Sequence, residues 1–218
     1  GKRLAAEVIN ISADLQPVAM EIEKVNYGSV TPISLYRKIP EEDRNSQGIS
    51  SSSMTVELPL KKLPTKSEIE AEKELYVEAF NSAKNDGAFP EELNPLEYHI
   101  NWADYALELL NNGWNSHHVP AFLQVFRIHD TAIVGIPGEL FSEIGIEIKS
   151  SSPSKITLIG GYTNGVISYL PTAEEYKFGG YECDYAHHSW GLVEQVASET
   201  EGILKKASAT LLEEVWNR

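Results

Sequence analysis

Two apolar runs, residues 119–128 and 131–136, are parted only by His129-Asp130. Runs of this kind with a two-residue turn between them read as a β-hairpin. The second run leads into Pro137-Gly138-Glu139. Over 138–150 the residues Leu140, Phe141, Ile144 and Ile148 recur at helical spacing. Residues 155–161 then read as a buried strand, and Gly160-Gly161 at its end marks close backbone approach. A hairpin combined with strand–helix–strand alternation predicts an α/β (α+β) chain, a mixed β-sheet layered with helices.

The flanking segments fit that frame. Residues 2–14 read as a short amphipathic helix through Leu4, Ala5, Val8, Ile9 and Ile11. Pro17, Pro32 and Pro40 forbid a long helix after it, and 18–26 alternates like a strand. Residues 40–53 are polar and serine-rich and are expected to form a flexible loop. Residues 54–60 alternate at period two, with Pro59 placing their end near a sheet edge. A helix is predicted over 65–84, capped by Thr65 or Ser67, with Ile69, Leu75, Tyr76, Ala79 and Phe80 on one face, and closed by Asp86-Gly87. Pro90 and Pro95 predict an irregular stretch, followed by a helix over 98–112 with Trp102, Tyr105, Ala106, Leu109 and Leu110 inward. Thr172-Ala173-Glu174-Glu175 reads as a capping box opening a helical turn. Residues 189–218 predict a long C-terminal helix. No internal repeat breaks the chain up, so 1–218 reads as a single domain.

Charge narrows the function. Eighteen Lys and Arg stand against 32 Asp and Glu, a net charge of −14 over 218 residues. A phosphate backbone or an anionic bilayer needs a basic face, so neither is an expected partner. Cys183 is the one cysteine, which excludes an intramolecular disulfide and a CxxC zinc site. No apolar run approaches the 18 or more residues of a membrane span. The first residues lack a signal peptide's apolar core and read like the inside of a helix, as a piece of a longer protein would.

Several catalytic signatures are missing: GxSxG, HExxH, a phosphate loop and GxGxxG. Ser51, Ser52 and Ser53 have no basic partner nearby in sequence. The histidines fall as His99, His117-His118, His129 and His187-His188; adjacent pairs diverge on strand or helix and read as polar surface or cap features. Glu139 is different. It lies between a strand and a helix, where ligands gather in α/β proteins, although a carboxylate there also suits a helix dipole. Downstream, Tyr169, Tyr176, Tyr181 and Tyr185 crowd one stretch, either as a site or as aromatic packing of a long loop.

These segments taken together are recognisable. The run 122–128, then Ile136-Pro137-Gly138-Glu139-Leu140-Phe141, then 160–176 with Asn164, Tyr169 and Glu174-Glu175-Tyr176, then Gly180-Tyr181-Glu182, resembles the neutral/alkaline (non-lysosomal) ceramidase family in order and spacing. The resemblance implies the C-terminal half of a zinc-dependent amidase that cleaves the N-acyl bond of ceramide. It implies zinc ligands at Glu139 and Tyr169. It also implies a substrate-contacting tyrosine at Tyr181, twelve residues after Tyr169. The other two zinc ligands would be histidines from an N-terminal half absent here, which becomes the expected partner. A lipid-like amide substrate, self-association through a face left open, and a secreted or periplasmic location follow from the same resemblance.

The chain also departs from the family. No arginine pair follows Glu139, Val166 stands near the place of the first loop tyrosine, and Cys183-Asp184-Tyr185-Ala186-His187-His188 replaces a segment of small residues. The substrate therefore stays open between ceramide and another N-acyl or ester-linked amphiphile. Two other readings remain: a non-catalytic structural or binding module, and a hydrolase using Asp184, His187 or His188.

Overall fold

The computed structural model describes residues 2–14, 20–25, 35–40 and 48–217. It divides into two units, Gly1–Ser46 and Gln47–Arg218. The first contains helix α1 (Lys2–Asp14) and an antiparallel pair, β1 (Met20–Val25) and β2 (Leu35–Pro40), with Met20 opposite Pro40. The predicted helix and the described part of the 18–26 strand are both present; Pro17 and Pro32 lie outside the described residues.

The second unit is built on a four-stranded mixed sheet in the order β3-β4-β5-β7. These strands are β3 (Ile49–Pro59), β4 (His118–Ile128), β5 (Thr131–Gly135) and β7 (Ile156–Gly160). The hairpin at His129-Asp130 is present: Ile128 pairs with Thr131, and His129 takes a left-handed φ of 60°. β5 and β7 run parallel, joined by a crossover that includes β6 (Glu139–Leu140) and helix α4 (Ser142–Ser151). β6 pairs parallel with β8 (Tyr169–Leu170). The α/β (α+β) class is therefore the observed one.

Period-two patterning sorts the sheet's faces. Ala121, Leu123, Val125, Ala132 and Val134 are fully buried against Leu204, Leu211, Leu212 and Val215 of helix α6 (Thr200–Trp216). Each of the leucines and valines taken from water is worth about 1.5–3 kcal/mol, and each alanine methyl less. Arg127 is buried as well: its guanidinium donates to the carbonyls of His129, Val215 and Trp216 and stacks over the Trp216 ring, so it caps the end of α6. Helices α2 (Lys66–Asn85) and α3 (Pro90–Asn111) form a hairpin with its own small core of Ile69, Trp102, Ala103, Ala106 and Val193. Thr65 caps α2 through a capping box with Glu68, as its sequence predicts. Both helices end in a Schellman motif, with Gly87 and Gly113 at left-handed φ.

Some expectations fail, each for a physical reason. Residues 49–53 are strand, not loop; Ser50 and Ser52 point inward and bond Val215 and Glu214, so serine repetition hid the alternation. The rest of that polar tract, 41–47, lies outside the described residues. Pro90 and Pro95 are helical. Pro90 sits at the first helical position, where no N–H is needed; Pro95 lies inside the helix and forfeits one backbone hydrogen bond, to the Glu91 carbonyl, which the rest of α3 tolerates. Leu75 and Tyr105 are exposed, because α2 and α3 cover only one side of each other. β7 is an edge strand and half exposed. The C-terminal helix starts at Thr200: Gly191 turns left-handed after the short α5 (His187–Trp190), and the backbone near Val196 bonds Pro59 and Lys61 instead.

Candidate functional site

The turn after β5 sets the position of Glu139. The chain passes Ile136, Pro137 and Gly138, all buried, and is pinned from both sides. The Ile136 N–H donates to the Gly160 carbonyl at 2.9 Å and the Thr163 N–H to the Ile136 carbonyl at 3.1 Å. The Ile167 N–H reaches the Pro137 carbonyl at 3.0 Å. Gly138 leaves no room for a side chain, since a Cβ there would lie 2.8 Å from the Ser168 carbonyl oxygen. The Glu139 N–H then donates to Ser168 at 3.0 Å and the Phe141 N–H to Leu170 at 3.2 Å, closing the β6–β8 ladder. Glu139 precedes α4 by three residues and lies outside its first turn.

This ladder places Glu139 directly opposite Tyr169. The nearby Glu139 carboxylate, as a hydrogen-bonding and negatively charged neighbour, together with burial, pushes the Tyr169 phenol up to about 12. The same carboxylate holds the Tyr162 phenol above its ordinary value. The Tyr181 ring stands edge-on to Tyr169, with centroids 5.9 Å apart. Glu139, Tyr169 and Tyr181, separate in sequence, are thus brought together. Glu139 and Tyr162 also line an open cleft of about 430 Å³, with Phe141, Ile146, Ile159 and Lys149.

Tyr181 begins a π-helical turn, Tyr181–Tyr185, entered through Gly179 and Gly180 at positive φ. Gln195, fully buried, ties this turn to β8. Its side-chain amide donates to the carbonyls of Tyr169 (3.2 Å) and Glu182 (2.5 Å), and its oxygen accepts from the Ser168 hydroxyl (2.8 Å). Sequence patterning misses Gln195 because it falls in a stretch that reads as helix. It marks Tyr162 only as one tyrosine of a crowded loop.

His187 and His188 are buried, contrary to the surface reading. Trp102 stacks on His188 at 3.6 Å, and His188 Nδ1 meets His99 Nδ1 at 2.5 Å. Burial, with neighbouring positive charge, pushes His187 down to about 3 and His188 to about 2, so both rings are neutral at pH 7. The Asp184 carboxylate is engaged elsewhere, accepting from the Gly180 N–H and the Lys61 ammonium. Burial raises the Asp184 carboxyl, but those two donors hold it below its ordinary value. Among the described residues no hydrogen bond joins Asp184 to His187 or His188. Among the described residues no group of three or more His, Cys, Asp or Glu is placed to hold a metal ion.

The second unit is thus a layered α+β fold with a carboxylate–tyrosine cluster at a strand-to-helix crossover. No family model matches the chain, and no curated protein matches it. Among solved structures it is similar to a ceramidase complexed with C2, at 22% identity and a TM-score of 0.38, over 48% of this chain and 16% of that one. It is also similar to the neutral ceramidase of Pseudomonas aeruginosa, at 23% identity and a TM-score of 0.34, over 46% and 16%. The chain spans about a sixth of the length of these ceramidases.

Proposed function

We propose that this chain carries part of the site of a ceramidase-like, zinc-dependent hydrolase that cleaves the N-acyl amide of ceramide or a related amphiphile. The observation that supports this most is the pairing of Glu139 with Tyr169, oxygen donor to oxygen donor, with Tyr181 beside them. A carboxylate and a phenol are hard oxygen ligands that suit zinc and fill two of its usual four positions. Glu139 and Tyr169 would hold the ion together with two histidines supplied by a partner N-terminal half. Bound zinc would polarise the amide carbonyl and lower the pKa of its water.

The chain's own residues do the remaining work. The β6–β8 ladder holds Glu139 and Tyr169 side by side before any ligand arrives. Tyr181, half exposed, would donate to a substrate carbonyl, where one such bond stabilises developing negative charge by a few kcal/mol. Phe141, Ile146 and Ile159 give the cleft an apolar wall for an acyl chain.

Two ligands bind weakly, so this chain alone should be inactive and bind zinc at best in the micromolar range. Calorimetric titration with zinc tests this. Weak binding that Glu139→Gln weakens further supports the reading. Tight stoichiometric binding that survives Glu139→Gln moves the metal to other residues and overturns it.

A further inference from the structure

The cleft beside Glu139 has a direction. Ser142, Gly145, Ile146 and Lys149 all line it, and their spacing of three, four and seven residues sets them along one face of α4. Glu139 and Ser142 lie at the end where α4 begins. The Tyr162 backbone is tied to the same end by its N–H, which donates to the Gly138 carbonyl at 3.2 Å. Lys149 lies in the last turn of α4, at the other end. A rise of 1.5 Å per residue separates the two ends by roughly 10 Å. Between them the lining is apolar, with Phe141 and Ile146 facing the same space as Ile159 of β7.

Two features of this cleft are not required by the fold. The first is Gly145. A Cβ there would meet Ile159 at 3.8 Å and Leu140 at 3.9 Å, which is ordinary contact, and glycine inside a helix is less stable than alanine. What glycine gives is an open floor to a cleft of about 430 Å³. The second is Lys149. The carboxylates of α4 are engaged, Glu143 by the Ser142 hydroxyl and Glu147 by Lys205. Among the described residues no carboxylate lies within ion-pairing distance of the Lys149 ammonium, in a chain with 32 Asp and Glu against 18 Lys and Arg. A lysine in a last turn suits the helix dipole, but any position around that turn would serve, and this one lines the cleft.

From this geometry we infer that the cleft selects a straight apolar arm that ends in a carboxylate, with Lys149 as the residue that sets this specificity. The amide lies at the Glu139 end, the arm runs over Gly145 between Ile146 and Ile159, and its terminal carboxylate meets the Lys149 ammonium roughly 10 Å away. Glu139 enforces the orientation, since it repels an anion at its own end. A carboxylate suits the far end better than a phosphate dianion. Lys149 is the one cation among the described residues that line the cleft, and the carbonyl end of α4 beside it carries negative partial charge. The inference rests on the reading of Glu139 and Tyr169 as the site. It narrows the substrate of that site from a neutral amide to one with a carboxylate-ended arm.

The test titrates two probes into the full chain without metal: nonanamide and the monoamide of nonanedioic acid, which differ by the terminal carboxylate. The methyl signals of Ile146 and Ile159 are followed by NMR. The expected result is saturable shifts, with the acid monoamide bound at least twofold more tightly, the scale of an exposed ion pair. That preference should vanish in Lys149→Gln and shrink in high salt. Gly145→Ala should weaken both probes while its melting temperature is equal or higher, because alanine favours the helix. No binding, a preference under twofold, or a preference that survives Lys149→Gln overturns the inference. Because the probes are read without zinc, the metal reading is tested apart from the cleft. Probes that bind as expected to a chain that takes up no zinc leave the cleft standing and remove the metal; zinc held by Glu139 with no probe in the cleft does the reverse.

Discussion

Glu139 lies directly opposite Tyr169 in a two-residue parallel ladder, and its carboxylate pushes the Tyr169 phenol up to about 12. Thirty residues of sequence separate them. Their meeting depends on the buried Pro137-Gly138 turn on one side and on the Gln195 side chain behind the other. Both supports can be tested separately from the site.

Gly138→Ala should destabilise the protein. The new Cβ would sit 2.8 Å from the Ser168 carbonyl oxygen and 2.6 Å from a Leu170 methyl, so β6 and β8 must part. Overpacking of this kind costs about 1–3 kcal/mol, read as a fall of roughly 2–4 °C in Tm per kcal/mol for a domain of this size. Gly202→Ala is the control: it lies inside α6 with open space around it, and should leave Tm equal or higher.

Gln195→Leu keeps the volume but leaves the Ser168 hydroxyl and the carbonyls of Tyr169 and Glu182 without that partner. Each buried polar group stranded this way costs about 1–3 kcal/mol. Urea unfolding should show a loss of several kcal/mol. A loss under 1 kcal/mol would mean that the amide does not hold β8 to the Tyr181 turn.

Acid should weaken the fold through His187 and His188. Both are neutral when folded, with values pushed down to about 3 and about 2, against roughly 6.5 in an unfolded chain. Below pH 6.5 the unfolded chain binds protons that the folded one refuses, so stability falls as pH falls towards 3. The slope is at most about 1.4 kcal/mol per pH unit for each ring. Melting curves from pH 7.5 to 4.5 should show the decline, and a His187→Phe, His188→Phe double variant should flatten it. An equal slope in both proteins would place the acid sensitivity elsewhere.

Self-association is expected through the outer face of the sheet. Phe126, Ile133 and Leu158 line up across β4, β5 and β7, with Ile128 and Ile156 in a neighbouring row, and Phe126, Ile128, Ile156 and Leu158 are exposed. Sheets that stack face to face pack such rows about 10 Å apart, and an apolar patch this continuous invites a second copy. Light scattering should show dimers that Phe126→Glu or Leu158→Lys dissociates. A strictly monomeric wild type at high concentration would contradict this.

The hairpin, the crossover and the capped helix α2 were legible because periodicity and turn chemistry are local. So was the pairing of Glu139 with the tyrosine-rich stretch, though only as a family resemblance. The serine run at 49–53 was not legible: serine carries little hydrophobic contrast, and only the partner strand reveals its alternation. The burial of His187 and His188 was equally hidden, since it depends on Trp102, 85 residues away from His187 in the chain. Gln195 left no local signal because its partners are three separate backbone and side-chain groups brought to it by the fold.

The central claim is that Glu139 and Tyr169 act as one metal-binding pair. Crystals soaked in zinc and measured at the zinc absorption edge test it most directly. The account predicts an anomalous peak within about 2.2 Å of one Glu139 carboxylate oxygen and of the Tyr169 hydroxyl oxygen, lost in Glu139→Gln. A peak at His117, His118, His187 or His188, with nothing between Glu139 and Tyr169, would contradict it.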